Sequence, residues 1–277
     1  MRRFDTVAVA DWSATSGLSP ARPSADAIWV GICRAGQVED HYHRSRAVAE
    51  AQLVTLIAQE TAAGRRLLIG FDFPMGYPTG FAARLTGQPG ARAIWGWLAA
   101  RITDDAQNRN NRFEVAATAN RQLGNPGPFW GRPAGLSLLD LPPRKLADYP
   151  ALCLAERRQV ERLVPRAQPV WKLYTTGAAG GQALMGLPMI HRLAQTPGVA
   201  VWPFDPPTAP AVLAEVYPSL LSGPVAATAD PIRDRAQVRL LSRALWAAPA
   251  PLFDVPATEE GWILGAGHAA LLAASCA

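Results

Sequence analysis

Short continuous apolar runs alternate along this chain with longer stretches of helical spacing. Thr6 to Ala10 is a run of small residues and valines that ends in Asp11-Trp12-Ser13, which predicts a first strand closing on Asp11. Ala14 to Ser24 is rich in Ser, Pro and Gly and reads as a turn region. Ala27 to Cys33 predicts a second strand, Arg34-Ala35-Gly36 a tight turn and Gln37 to His43 a third strand, together an antiparallel hairpin. Val48 to Ala63 has helical periodicity, with Gly64 as its stop. Arg66-Leu67-Leu68-Ile69-Gly70-Phe71-Asp72 then predicts a fourth, buried strand. Pro74 lacks a donor and holds Phe73 out of the helical region, so the strand stops beside Asp72.

The order strand, strand, strand, helix, strand makes the first and fourth strands parallel neighbours across the helix. Asp11 and Asp72 would then lie at the carboxyl ends of adjacent strands about 4.8 Å apart. Ligands of open α/β sheets sit at that edge. Val199 to Phe204 returns to strand character, and Val212 to Tyr217 supplies a last strand carrying Glu215 just before Pro218. Three strands thus end in acids. An unpaired buried carboxylate costs several kcal/mol, so each needs a donor, a cation or a metal. Hard divalent cations such as magnesium and manganese take such oxygen ligands, and two of them can clamp a phosphodiester during in-line displacement.

Residues 79–198 read as a long, mostly helical insertion between the fourth and fifth core strands of one domain spanning 1–277. Helices are expected at Ala91 to Ile102, at Leu152 to Val164 and from Pro188. After the last strand, Asp230-Pro231 should cap a helix running to Trp246, and Thr258-Glu259-Glu260 should open a final helix reaching Ser275.

Composition sharpens this only in places. At 49% hydrophobic and 18% charged, the 277 residues can bury a sizeable core and are not globally disordered. The net charge is +5, and lysine occurs only at Lys145 and Lys172, so 25 of the 27 basic residues are arginine. That balance admits an anionic partner without requiring one. Cys33, Cys153 and Cys276 are odd in number and lack metal-site spacing, which suits a reduced, cytoplasmic compartment. Asp5 and Asp11 interrupt any signal-peptide core behind Met1-Arg2-Arg3, and no run is long enough to span a bilayer, so no membrane role is expected.

Val-Ala-Asp-Trp-Ser near the start, Ile-Gly-Phe-Asp-Phe-Pro-Met-Gly in the middle and Ala-Glu-Val-Tyr-Pro late resemble the family known as domain of unknown function 429. Its members are described as predicted nucleases of the ribonuclease H-like fold. The resemblance implies a mixed five-stranded sheet, with the first three strands antiparallel and strands 1, 4 and 5 parallel. It also implies a site in which Asp11, Asp72 and Glu215 bind magnesium or manganese and act on a phosphodiester of nucleic acid or nucleotide. Enzymes of that fold generally carry another acid on the final helix. Here Gly267-His268-Ala269 occupies that stretch, leaving His268 as a candidate for a metal or a leaving group. Asp254, Glu259 and Glu260 lie upstream as further candidates, each also suited to solvent or a helix N-terminus.

Other residues could hold substrate. Arg109, Asn111 and Arg112 lie in a dense asparagine–arginine run, Lys172 follows Trp171, and Ser13 follows the first acid. Arginine suits bidentate phosphate recognition, while surface solvation explains the same run. The run from Gly177 to Gly181, with Gly180 and Gly181 ahead of a helix, either cradles an anion on backbone N–H groups or simply connects two elements. Two alternatives therefore stand beside the hydrolase. One is a nucleotide- or cofactor-binding protein without hydrolysis; chains similar to this one are sometimes labelled as molybdopterin-guanine dinucleotide synthesis proteins. The other is phosphoryl transfer on the related actin-like ATPase fold, with Ser13 to Gly17 as a phosphate turn, although the required second domain is not visible. The sequence does not indicate an oligomeric state.

Overall fold

The computed structural model describes residues 3–164, 166–248, 250–255 and 258–276, so Met1 and Arg2 lie outside the described residues. In chain order the elements are β1 (Thr6–Asp11), β2 (Ile28–Arg34), β3 (Gln37–His43), α1 (Arg46–Ala62) and β4 (Leu67–Phe71). Within 79–198 follow α2 (Phe81–Thr86), α3 (Ala91–Ala99), α4 (Arg112–Leu123), α5 (Gln159–Leu163) and α6 (Ala179–Leu193). The chain continues through β5 (Val199–Trp202), β6 (Ala211–Glu215), α7 (Ser222–Ala226), α8 (Arg233–Ala247) and α9 (Ala269–Ala274).

The sheet has six strands in the order β3-β2-β1-β4-β6-β5, one more than expected. β1, β2 and β3 pair antiparallel, whereas β1, β4, β6 and β5 run parallel. The strand beyond the five is β5, within the stretch Val199 to Phe204 already expected to have strand character, and it pairs outside β6 as Val199↔Ala211 to Trp202↔Ala214. Only residues 203–210 connect these two parallel neighbours, fewer than the dozen or so that usually make a parallel crossover.

Alternation of side chains across the strands divides the core. Ala8, Ala10, Ile69, Phe71 and Leu213 face one way, against Leu53 and Ile57 of α1 and the helices of the 79–198 segment. Val7, Val9, Leu68, Val212 and Ala214 face the other, against Val238, Leu241 and Leu245 of α8. Gly31 of β2 lets α8 lie close on this second face, since a Cβ there would sit 2.6 Å from the Val238 carbonyl oxygen. At the far end of α1, buried Glu60 accepts from Thr6 Oγ1, Arg34 and Arg65 and so ties helix to sheet. No helix among the described residues is long and apolar enough to cross a membrane.

Four helix boundaries differ from expectation, each for a local reason. The helix expected at Leu152 to Val164 is only α5, because Cys153 takes a left-handed φ of 47° and Arg158 turns inward. α6 begins nine residues before Pro188, which lies inside it. Asp230 accepts from Ile232 N and Arg235 in a turn, so α8 starts at Arg233 rather than at Pro231. Gly261, Gly265 and Gly267 hold φ of 75°, 87° and 82°, which keeps 258–268 non-helical and shortens the last helix to α9.

Gly31→Ala should force α8 away from the sheet and lower stability by about 1–3 kcal/mol in urea denaturation. A ΔG unchanged within error would show that this contact does not set the position of α8.

Candidate functional site

The paired ladder places two of the three predicted strand-end acids together. β1 and β4 pair in parallel from Thr6↔Leu67 to Ala10↔Phe71, and the Asp72 N–H donates to Ala10 O at 3.2 Å, one residue beyond β4. Asp11 and Asp72 therefore stand at the same height on neighbouring strands. By alternation both side chains emerge on the face covered by α8. Two donors orient Asp72: Trp12 N–H reaches Oδ1 at 2.6 Å, and Gln182 Nε2 lies 3.4 Å from Oδ2 while donating to Trp12 O at 2.6 Å.

The third acid near this pair is Asp234, in the first turn of α8. Asp234 stands one helical turn before Val238, so the close approach at Gly31 brings it toward the end of β1. The Asp26 N–H donates to its Oδ2 at 2.8 Å, leaving the other oxygen free of that bond. Asp234 is not among the site residues that the sequence predicts. The signal available was its spacing: with Val238, Leu241 and Leu245 it falls on one face of α8, and those three are buried. Gln182 carried no signal beyond being polar at the start of a largely apolar helix.

Electrostatics mark these acids as a repelling group. Burial pushes Asp11 well above the usual carboxylate range, and the charges of Asp72, Asp234 and Asp26 push it further. Burial raises Asp72 to about 6, moderated by hydrogen bonds from Asp11 and Trp12 N–H and raised again by Asp234. Asp234 is raised too, chiefly by burial. Burial and mutual repulsion thus make the Asp11–Asp72 pair resist carrying two charges at once, as close carboxylates do.

Such a donor set fits a divalent cation. Two hard oxygen ligands stand side by side with no Arg or Lys paired to them among the described residues. No three His, Cys, Asp or Glu side chains among the described residues are already gathered as a metal-holding group, so waters and substrate oxygens would complete the coordination.

Glu215 is placed differently. It pairs with Phe71, not with Asp72, and so projects on the opposite face of the sheet. There it is 3% exposed and bound by Arg158 through two bonds of 2.8 and 2.6 Å, with Met75 N donating at 3.0 Å. Arg158, 1% exposed, also donates to Glu161 at 2.8 Å and to the Glu260 carbonyl at 3.1 Å. Burial opposes its charge, but Glu215 and Glu161 outweigh that and hold the guanidinium firmly protonated. Glu260 is buried as well and accepts from Thr79 N and Gln159 N. Glu215, Arg158 and Glu260 therefore fasten the 79–198 segment to the sheet. His268 is exposed at the N-cap of α9, and none of its described contacts reaches Asp11 or Asp72.

The predicted substrate residues scatter. Ser13 Oγ accepts from Thr15 N and reaches Thr15 Oγ1 at 2.8 Å, shaping the turn after β1. Arg109 pairs with Asp105 at 2.6 Å, and Asn111 accepts from Thr103 N and donates to Arg101 O. Lys172 donates to Thr176 O. Gly180 and Gly181 serve close packing: a Cβ would lie 2.1 Å from Val170 O at the first and 2.8 Å from Leu173 O at the second. Their N–H groups already donate to Lys172 O and Ala178 O. Arg112 is buried against the loop after β1, its Nη1 donating to Ser16 Oγ and Asn110 Oδ1. That loop is fixed by buried Arg46, which donates to Ser13 O and Thr15 O and pairs with Asp104.

No protein-family model matches the chain, and neither a curated protein nor a solved structure does.

Two measurements follow from this geometry. Arg158→Met would leave Glu215 and Glu161 buried without their cation and should cost about 3–5 kcal/mol in denaturant unfolding; a loss below 1 kcal/mol would contradict the fastening role. For Asp72 the folded-state pKa lies above the unfolded one, so its proton stabilises the fold at low pH and that contribution is lost as pH rises through about 6. Metal-free Asp72→Asn should therefore be more stable than wild type at pH 7.5, by about 1–3 kcal/mol, and gain nothing at pH 4. Equal gains at both pH values would remove the charge repulsion as the cause.

Proposed function

We propose that the protein is a metal-dependent phosphodiester hydrolase of the nuclease type, built on a ribonuclease H-like core. The strand order β3-β2-β1-β4-β6, with β5 added at the edge, supports that core. The observation that carries the reading is the Asp11–Asp72 pair. Two carboxylates stand on adjacent parallel strand ends, surrounded by negative charge and free of basic partners among the described residues. A structure gains nothing in stability from such an arrangement, whereas cation binding needs it. Asp234 takes the part of the helix acid that the resemblance leads one to expect and that 267–269 lack.

Bound magnesium or manganese would neutralise charge on the phosphoryl oxygens and activate water for attack. Asp11 and Asp72 would hold the cation, whose charge would offset their mutual repulsion. The Trp12 N–H and Gln182 fix the direction of the Asp72 carboxylate. Asp234, anchored through Oδ2 by Asp26, has Oδ1 available to take a proton from the attacking water. Glu215 has no part in this, since Arg158 and Met75 N already engage both its oxygens. A non-hydrolytic nucleotide-binding reading rests on the glycine run and on the acid that 267–269 lack; the N–H groups of Ala179, Gly180 and Gly181 already donate to carbonyls.

Activity against bis(p-nitrophenyl) phosphate and labelled single-stranded DNA and RNA should require Mg²⁺ or Mn²⁺ and vanish with EDTA. Asp72→Asn and Asp11→Asn should each lower kcat at least a hundredfold, and Asp234→Asn by about ten- to a hundredfold. Metal-dependent hydrolysis surviving unchanged in Asp72→Asn would sink the mechanism.

A further inference from the structure

We propose that Arg112 and Ser16 form a seat for a phosphate-type oxyanion on the loop that leaves β1 after Asp11. The inference rests on the hydrolase reading and assigns the place where the substrate's phosphate is held outside the reacting position.

Three arginines on neighbouring elements are ion-paired. Arg46 pairs with Asp104, Arg109 with Asp105 and Arg192 with Glu50. Arg112 forms no ion pair among the described residues, although it is only 7% exposed. Its Nη1 donates to Ser16 Oγ at 3.3 Å and Asn110 Oδ1 at 2.8 Å, and its buried Nε has no partner among the described residues. Its guanidinium lies 4.2 Å from the centre of the Phe113 ring, which fixes its plane. A buried guanidinium lacking a counter-ion is costly, and burial together with Arg46 pushes its pKa down to about 10. An arriving oxyanion supplies the missing counter-charge.

Ser16 completes the seat by the direction of its proton. Its Oγ receives hydrogen bonds from Arg112 Nη1 and Asn110 Nδ2 at 3.2 Å. A hydroxyl that accepts two donors turns its own O–H elsewhere, and Ser16 is exposed, so that donor points to solvent. The seat is prepared in advance, because Arg46 pins the turn through Ser13 O and Thr15 O and Asn108 Nδ2 donates to Gly17 O. Ser16 follows Asp11 by five residues, so the seat lies within about 17 Å of the acid pair even at full chain extension. That upper limit is short enough for one extended substrate to bridge both.

Isothermal titration of metal-free protein in EDTA, at constant ionic strength, tests the seat apart from catalysis. Three probes distinguish the source of the oxyanion: inorganic phosphate, a nucleoside 5′-monophosphate and a dinucleoside monophosphate with an internal diester. Saturable binding of at least one is expected. Ser16→Ala should weaken it about three- to tenfold. Arg112→Gln and Ser16→Asp, the latter offering Arg112 a carboxylate of its own, should weaken it more than tenfold. Ser16 is exposed, so its variants remain informative if Arg112→Gln fails to fold. Asp72→Asn should keep the binding. No saturable binding in the wild type, or affinity unchanged in both Ser16→Asp and Ser16→Ala, would overturn the seat. Hydrolysis absent while this binding persists would count against the hydrolase reading alone; hydrolysis present with KM unmoved by Ser16→Asp would count against the seat alone.

Discussion

The strict two-residue alternation of side chains across a sheet decides what each strand-end acid can do. Asp11 and Asp72 share one parity and one height, so both meet α8 on the same face. Glu215 ends the next strand but pairs with Phe71, one residue short of Asp72, and that single step sends it through to the other face. The same carboxylate chemistry is thereby divided between a polar edge and a buried joint. Everything described around these acids, from the Arg158 cluster to the helix that carries Asp234, is arranged on one side or the other of this division.

The two groups of acids are treated in opposite ways. On the insertion side, Arg158 compensates Glu215 and Glu161, with backbone donors at Met75 and Arg158 itself engaging further oxygens. Removing water from such a cluster is expensive, and close bidentate contact is what makes it tolerable. On the α8 side, three aspartates are left near one another with single backbone N–H donors at Asp72 and Asp234 and no ion pair among the described residues. The fold tolerates this repulsion because Gly31 allows α8 to pack tightly just one turn beyond Asp234. Stability is supplied beside the site, not within it, as is usual where a function needs uncompensated charge.

Much of this was legible from residue order. The alternating core of β1 to β4, the crossover helix and the positions of Asp11 and Asp72 follow from short apolar runs that end in an acid and a turn. What was not legible depended on tertiary contact. Register parity separates Glu215 from the aspartates, and no local pattern shows where β6 will slide against β4. Arg158 sits in a charged stretch that looks like a solvated helix, yet it turns inward to partners 57 and 102 residues away. Gly180 and Gly181 resemble an anion cradle because close packing and backbone-mediated binding both require glycine. Asp234 is legible from its place on the apolar face of α8, whereas the capping pair Asp230-Pro231 suggests a helix start two residues before the observed one.

Charge is also divided along the chain in a way that bears on the proposed substrate. Residues 79–198 hold fifteen Lys and Arg against seven Asp and Glu, whereas the remainder holds twelve against fifteen. The positive excess therefore belongs to the segment that Arg158 and Glu260 fasten against the carboxyl edge of the sheet. An anion approaching a purely acidic edge would be repelled. A basic segment anchored beside that edge offsets the repulsion over roughly a Debye length, about 8–10 Å at ordinary salt. Surface arginines already paired to acids contribute little to such a field, whereas Arg112, buried and without an ion pair among the described residues, keeps its charge uncompensated. On this view the insertion supplies the attraction that the acidic pair lacks, and the sheet supplies the cation-binding oxygens that the insertion lacks.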